Sequence, residues 1–132
     1  MRKLCREEVQ AIMKTVLIVD DSRAMRDMLR HSLTTAGFRV IQAEDGLNGL
    51  EVLGSEKPDV IVTDINMPRM DGFGFIEAVR RDQACRATPV LVLTTEVDGE
   101  KKNRARAAGA TGWIVKPFDP VKLVDAIRRV AA

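Results

Sequence analysis

The feature that most constrains this chain is a fivefold alternation of two kinds of segment. Short apolar runs at residues 16–19, 40–41, 60–62, 90–93 and 113–115 are rich in β-branched side chains, and stretches of helical length separate them. The runs are nearly continuous in apolarity rather than alternating with polar residues. Strands buried on both faces have this character, and it belongs to parallel sheets covered by helices. The expected fold is therefore α/β: a doubly wound, five-stranded parallel sheet with helices on both faces. Right-handed crossovers reduce the possible strand orders to a few.

The intervening segments carry helix signals of unequal strength. Ser22 or Asp21 caps the first, whose Met25, Met28, Leu29 and Leu33 fall at helical spacing before Gly37 ends it. The second spans 45–53, with Leu47, Leu50 and Leu53 a turn apart. The third is expected over 74–81, with Phe75, Ile76 and Val79 inward. The last runs from Pro120, a residue suited to a first helical turn, to Val130, with Val121, Leu123, Val124, Ile127 and Val130 inward. The fourth, residues 99–108, is different. Its only apolar side chains are Ala105, Ala107 and Ala108, set among Lys101, Lys102, Arg104 and Arg106, so it can bury little surface.

Length and composition exclude several classes of function. At 132 residues the chain fits one domain, and no attached output module is expected. The net charge of +2 sets up no field that would demand nucleic acid or an anionic membrane. Apolar runs of about five residues are far from the ~20 needed to span a bilayer, and the charges at Arg2, Lys3, Arg6, Glu7 and Glu8 interrupt any signal-peptide core. Cys5 and Cys85 are too few for a metal cluster and are expected as free thiols in a reducing compartment, so a cytoplasmic location is expected. Residues 1–12 stand outside the alternation and are read as a frayed, flexible extension, with the folded domain over 13–132.

In an open α/β sheet the ligand site lies beyond the carboxyl ends of the strands. Asp20 and Asp21 follow the first run, Asp64 the third, Thr94 ends the fourth and Lys116 follows the fifth. A lone Asp in such a place is most often a helix cap, and a Lys before Pro is ordinarily a solvated loop residue. Taken together, the five residues put three carboxylates, a hydroxyl and an ammonium on one sheet edge. Three close carboxylates cannot all stay ionised without a compensating cation. Oxygen-only ligation without His or Cys selects Mg²⁺, usually completed by phosphate. Lys116 and Thr94 suit phosphate oxygens, so the set describes a phosphoryl-transfer site.

Val19-Asp20-Asp21-Ser22, the stretch from Asp64 through Asn66, Met67, Pro68 and Asp71 to Gly72, Leu93-Thr94 and Lys116-Pro117-Phe118 together resemble the receiver domain of two-component response regulators. The single-domain chemotaxis regulators of the CheY type are the nearest match, over about residues 15 to 130. The resemblance implies a flavodoxin-like sheet with strand order 2-1-3-4-5, an order given for this fold type generally. It implies that Asp64 is the phosphoacceptor for a phosphohistidine of a chemotaxis-type histidine kinase. It implies Mg²⁺ held by Asp20, Asp21, Asp64 and the backbone carbonyl of Asn66, with Thr94 and Lys116 on the phosphoryl group. The resemblance further implies that Asn66 and Glu96, two residues past Asp64 and Thr94, are lifetime-tuning positions. Trp113 takes the place where the family commonly has Tyr or Phe, as the aromatic partner of Thr94 in the switch. Met67-Pro68 and Gly72 shape the following loop, Gly72 through a positive φ. His31 is expected on exposed helical surface.

The expected function is a phosphorylation-switched regulator, not an enzyme acting on a separate substrate, that assists its own phosphorylation and dephosphorylation and signals as a monomer by binding. The flagellar motor switch protein and a phosphatase are the partners the chemotaxis match suggests. A regulator that only drains phosphoryl groups from the kinase would have the same site. A metal-dependent aspartyl phosphatase of the haloacid-dehalogenase kind would need a general acid two residues after the nucleophile, where this chain has Asn66.

Overall fold

The computed structural model describes residues 13–131, so the expected extension over residues 1–12, with Cys5, lies outside the described residues. The chain alternates strand and helix five times: β1 (Thr15–Val19), α1 (Arg23–Thr35), β2 (Arg39–Ala43), α2 (Gly46–Leu53), β3 (Val60–Thr63), α3 (Gly72–Arg81), β4 (Val90–Thr94), α4 (Gly99–Ala108), β5 (Gly112–Val115) and α5 (Pro120–Ala131). All pairings are parallel and the order is β2-β1-β3-β4-β5. The expected fold class and strand order are both observed.

Side chains leave the central strands alternately to two cores. Leu17, Val19, Ile61, Val90 and Val92 join Phe73, Phe75, Ile76 and Val79 of α3 on one face. Val16, Ile18, Val60, Val62, Leu91 and Leu93 join Leu29 and Leu33 of α1 and Leu123, Val124 and Ile127 of α5 on the other. Each fully buried aliphatic side chain stabilises the fold by roughly 1.5–3 kcal/mol relative to exposure. β1 is buried along its whole length because it lies between two strands and two helical layers. No helix among the described residues is long and apolar enough to cross a membrane.

Ser22 is the cap of α1: its Oγ accepts the N–H of Met25 at 3.2 Å. Gly37, at φ +96°, ends that helix as expected. One expectation fails: Val121, expected inward, is 69% exposed, and Met28, although at helical spacing, is 55% exposed, because each lies at the margin of its helix's apolar stripe. Leu47 also faces outward, since glycines, not leucines, supply the buried face at the start of α2; a side chain at Gly49 would strike the Phe75 ring. Helix α3 begins two residues before the expected Gly74, because Asp71 accepts the N–H of Gly74 at 2.9 Å and caps the helix from Gly72. Cys85 is a free, buried thiol, raised in pKa by burial. His31 is exposed, as expected.

Candidate functional site at the carboxyl edge of the sheet

Strand register carries the site residues to one place. Val19 pairs with Thr63, so the next residues, Asp20 and Asp64, leave neighbouring strands at the same level, and Asp64 N–H donates to the Val19 carbonyl at 3.0 Å. Thr94 pairs with Val115 on the other side, and Lys116 N–H donates to the Thr94 carbonyl at 2.8 Å. β3 thus sits between the strand that ends in the paired aspartates and the strand that ends in Thr94.

Lys116 Nζ reaches back across the edge and donates to Asp20 Oδ2 at 3.0 Å and Asp64 Oδ2 at 3.2 Å. Asp64 Oδ1 accepts the N–H of Ile65 at 2.7 Å, and Asp20 Oδ1 that of Ser22 at 2.8 Å. Burial pushes the Asp20 carboxyl above its ordinary pKa, against the pull of the Ser22 N–H and of Lys116. Burial alone would lower Lys116, but Asp20 and then Asp64 outweigh it and hold the ammonium above its usual value. The two directions agree physically. One ammonium gains from two carboxylates, whereas Asp20 faces the charge of Asp64 as well as that of the lysine.

Asp21, exposed, completes the acidic group: Asp20, Asp21 and Asp64 each place an oxygen within 4.8 Å of the others. Three carboxylates against one ammonium leave two negative charges in excess. A hard divalent cation fits that donor set and that balance, and it would remove the penalty under which Asp20 is held. Thr94 is fully buried; its Oγ1 accepts the N–H of Glu96 at 3.2 Å. Asn66 Nδ2 donates to Glu96 Oε1 at 3.0 Å, and Lys101 Nζ meets the same oxygen at 3.1 Å. Asn66 and then Lys101 hold the Glu96 carboxyl below the usual range.

All the strand-end residues expected at the site therefore converge, and Asn66 and Glu96 meet across its mouth. Trp113 is half-buried on β5 and packs against the core cluster that includes Ala105 of α4. The role expected for Gly72 differs in cause. Its φ is not positive; a side chain there would collide with the Asp64 carbonyl oxygen, so the glycine serves close approach. The positive φ in this loop belongs to Arg69, at 65°. Its guanidinium grips the buried Asp45, cap of α2, through Nε to Oδ2 at 2.7 Å and Nη2 to Oδ1 at 3.1 Å. The sequence does not mark that clamp, the Arg26 guanidinium on the Asp20 carbonyl at 2.6 Å, or Lys101 as site contacts. The only signal for them is a charge of suitable sign, which many surface residues share.

Comparison with known proteins gives a consistent result. The family described as the response regulator receiver domain matches residues 16–128. The chemotaxis protein CheY of Pseudomonas aeruginosa is 38% identical over 116 residues, covering 87% of this chain and 94% of that one. The probable transcriptional regulator ycf27 of Guillardia theta is 37% identical over 115 residues, 87% of this chain but only 44% of that protein, so this chain spans less than half the length of that relative. The solved structure of the chemotaxis response regulator CheY4 of Vibrio cholerae superposes with a TM-score of 0.84 at 47% identity, covering 89% of this chain and 98% of that one.

Proposed function

The chain belongs to the response regulator receiver family, and from that premise we propose that it is a phosphorylation-switched regulator of the chemotaxis type, with Asp64 as phosphoacceptor. The observation that carries this reading is Lys116 Nζ bridging Asp20 and Asp64 beside the buried Thr94 hydroxyl. An Asp64 oxygen attacks the phosphorus of a kinase phosphohistidine; the new O–P bond forms as the P–N bond breaks, and the imidazole leaves with the nitrogen lone pair.

The chain's own groups divide the work. The Ile65 N–H holds one Asp64 oxygen in place and leaves the other with Lys116. Lys116 is positioned to move its charge onto a phosphoryl oxygen once that oxygen is attached to Asp64. Thr94 supplies a hydroxyl to another phosphoryl oxygen. Asp20, Asp21 and Asp64, with the backbone carbonyl of Asn66, would hold Mg²⁺, which when bound neutralises the charge that develops in the displacement. Because attacking water meets the same stabilising groups as the donor, the acyl phosphate is labile and the signal timed.

On this reading, reorientation of Thr94 opens space toward which Trp113 moves, and the surface formed by α4, β5 and α5 changes for a partner. The partners are a chemotaxis-type histidine kinase upstream and the flagellar motor switch protein downstream, with the chain acting in the cytoplasm. The test is phosphotransfer from candidate kinases, followed by pull-down of the motor switch protein before and after phosphorylation. Transfer with phosphorylation-dependent capture supports the reading. Transfer without any change in capture removes the motor assignment and leaves a regulator that drains phosphoryl groups.

A further inference from the structure

The mouth of the site holds a charge arrangement that phosphoryl transfer by itself leaves unused. One oxygen of Glu96 serves two donors on different elements, Asn66 Nδ2 in the loop after β3 and Lys101 Nζ in the first turn of α4. The backbone N–H of the same residue donates to Thr94 Oγ1. Glu96 therefore touches the acceptor loop, the buried hydroxyl and α4 at once. A carboxylate without a counter-charge at this mouth would repel an incoming phosphoryl donor, which is itself an anion. With Lys101 beside it, much of that field is cancelled, and the side chain is drawn toward α4.

We propose that Lys101 is a positioning residue for phosphoryl transfer, acting from α4 to pair the Glu96 carboxylate and keep its charge out of the path to Asp64. The proposal rests on the receiver reading of Asp64. It assigns a role in donor approach to an α4 residue that touches neither Asp64 nor the expected metal ligands. The Lys101 side chain is 41% exposed and that of Glu96 26%, so the pairing is open to screening by salt.

The experiment measures the rate of Asp64 phosphorylation by acetyl phosphate in Mg²⁺ buffer for the parent, Lys101→Met, Lys101→Arg, and Lys101→Met combined with Glu96→Gln. Methionine keeps the length and helix propensity of the stem while removing the charge. At low salt Lys101→Met should be roughly three- to five-fold slower than the parent, the effect of one partly screened charge on an anion. The difference should close at high salt, and Lys101→Arg should match the parent. Glu96→Gln should restore the rate of Lys101→Met, which a purely structural role for the lysine would not allow. Equal circular dichroism and unfolding midpoints exclude misfolding as the cause. A Lys101→Met rate equal to the parent's overturns the proposal, as does a slow rate that Glu96→Gln fails to rescue. A parent that acetyl phosphate never labels on Asp64 overturns the receiver reading and the proposal together, and shows itself before any variant is compared.

Discussion

Helices α3 and α4 lie side by side on the same face of the sheet, yet they are held by opposite means. α3 buries Phe73, Phe75, Ile76 and Val79, whereas α4 buries only Ala105. What α4 lacks in apolar burial is replaced by polar ties at its rim. Arg104 lies over the Phe73 ring at 4.1 Å from the centroid, and Lys101 meets Glu96. Arg80 of α3 donates Nε and Nη2 to the Gly109 carbonyl at 3.0 and 2.8 Å, and Nη1 to the carbonyls of Arg86 and Thr88. Burial is insensitive to small displacements of polar groups, while hydrogen bonds and ion pairs are directional and exchange readily with water. The contrast predicts that α4 shifts more readily than α3, which packs beneath the loop that follows Asp64.

The largest way to break this contrast is through α3. Phe75→Ala should cost about 3–5 kcal/mol in chemical denaturation, since the ring is fully buried. In α4 the corresponding change, Ala105→Gly, should cost only about 1–2 kcal/mol. Equal losses would mean that α4 is anchored as firmly as α3. Arg80→Met comes next. It leaves the Gly109, Thr88 and Arg86 carbonyls without their guanidinium donors and should cost about 1–3 kcal/mol. Hydrogen exchange should then quicken in α4 far more than in α3, and uniform quickening would contradict the account.

A smaller effect is expected at the carboxyl edge of the sheet, from the Arg69–Asp45 clamp. The Arg69 guanidinium holds the Asp45 carboxyl below its ordinary range, so the stability it adds is fully present above the unfolded pKa near 3.8 and is lost as the pH falls through the lowered folded value. Asp45→Ala should lower stability by about 1 kcal/mol at neutral pH through the lost cap, and the deficit should narrow in acid. A deficit that grows as the pH falls would reverse the sign. The smallest signal is spectroscopic. Trp113 is the single tryptophan, and its emission should shift to shorter wavelength on adding Mg²⁺ with beryllofluoride, with Thr94→Ala blunting the shift. Unchanged emission with Asp64 occupied would confine the response to the Thr94 loop and α4.

The same contrast explains what could be read from the sequence. Strands buried on both faces announce themselves as apolar runs, and a strand-end residue has its position set by register, so the sequence alone brings Asp20, Asp64, Thr94 and Lys116 to one sheet edge. Helix stripes are less exact at their margins: Met28 and Val121 have helical spacing but face solvent. The clamps formed by Arg69, Arg80 and Lys101 join residues 24, 29 and 5 positions apart, and nothing in periodicity says which of many surface charges will meet. Gly72 illustrates a further limit. The residue is required, but whether for a turn or for close approach depends on where Asp64's backbone lies.

The central claim, that the ammonium-bridged aspartate at the end of β3 accepts the phosphoryl group, is tested most directly by intact-mass measurement after incubation with acetyl phosphate and Mg²⁺. The parent should gain one phosphoryl group that is lost again on standing, and Asp64→Asn, whose amide is too weak a nucleophile, should gain none. Stoichiometric labelling of Asp64→Asn would place the acceptor elsewhere and contradict the account.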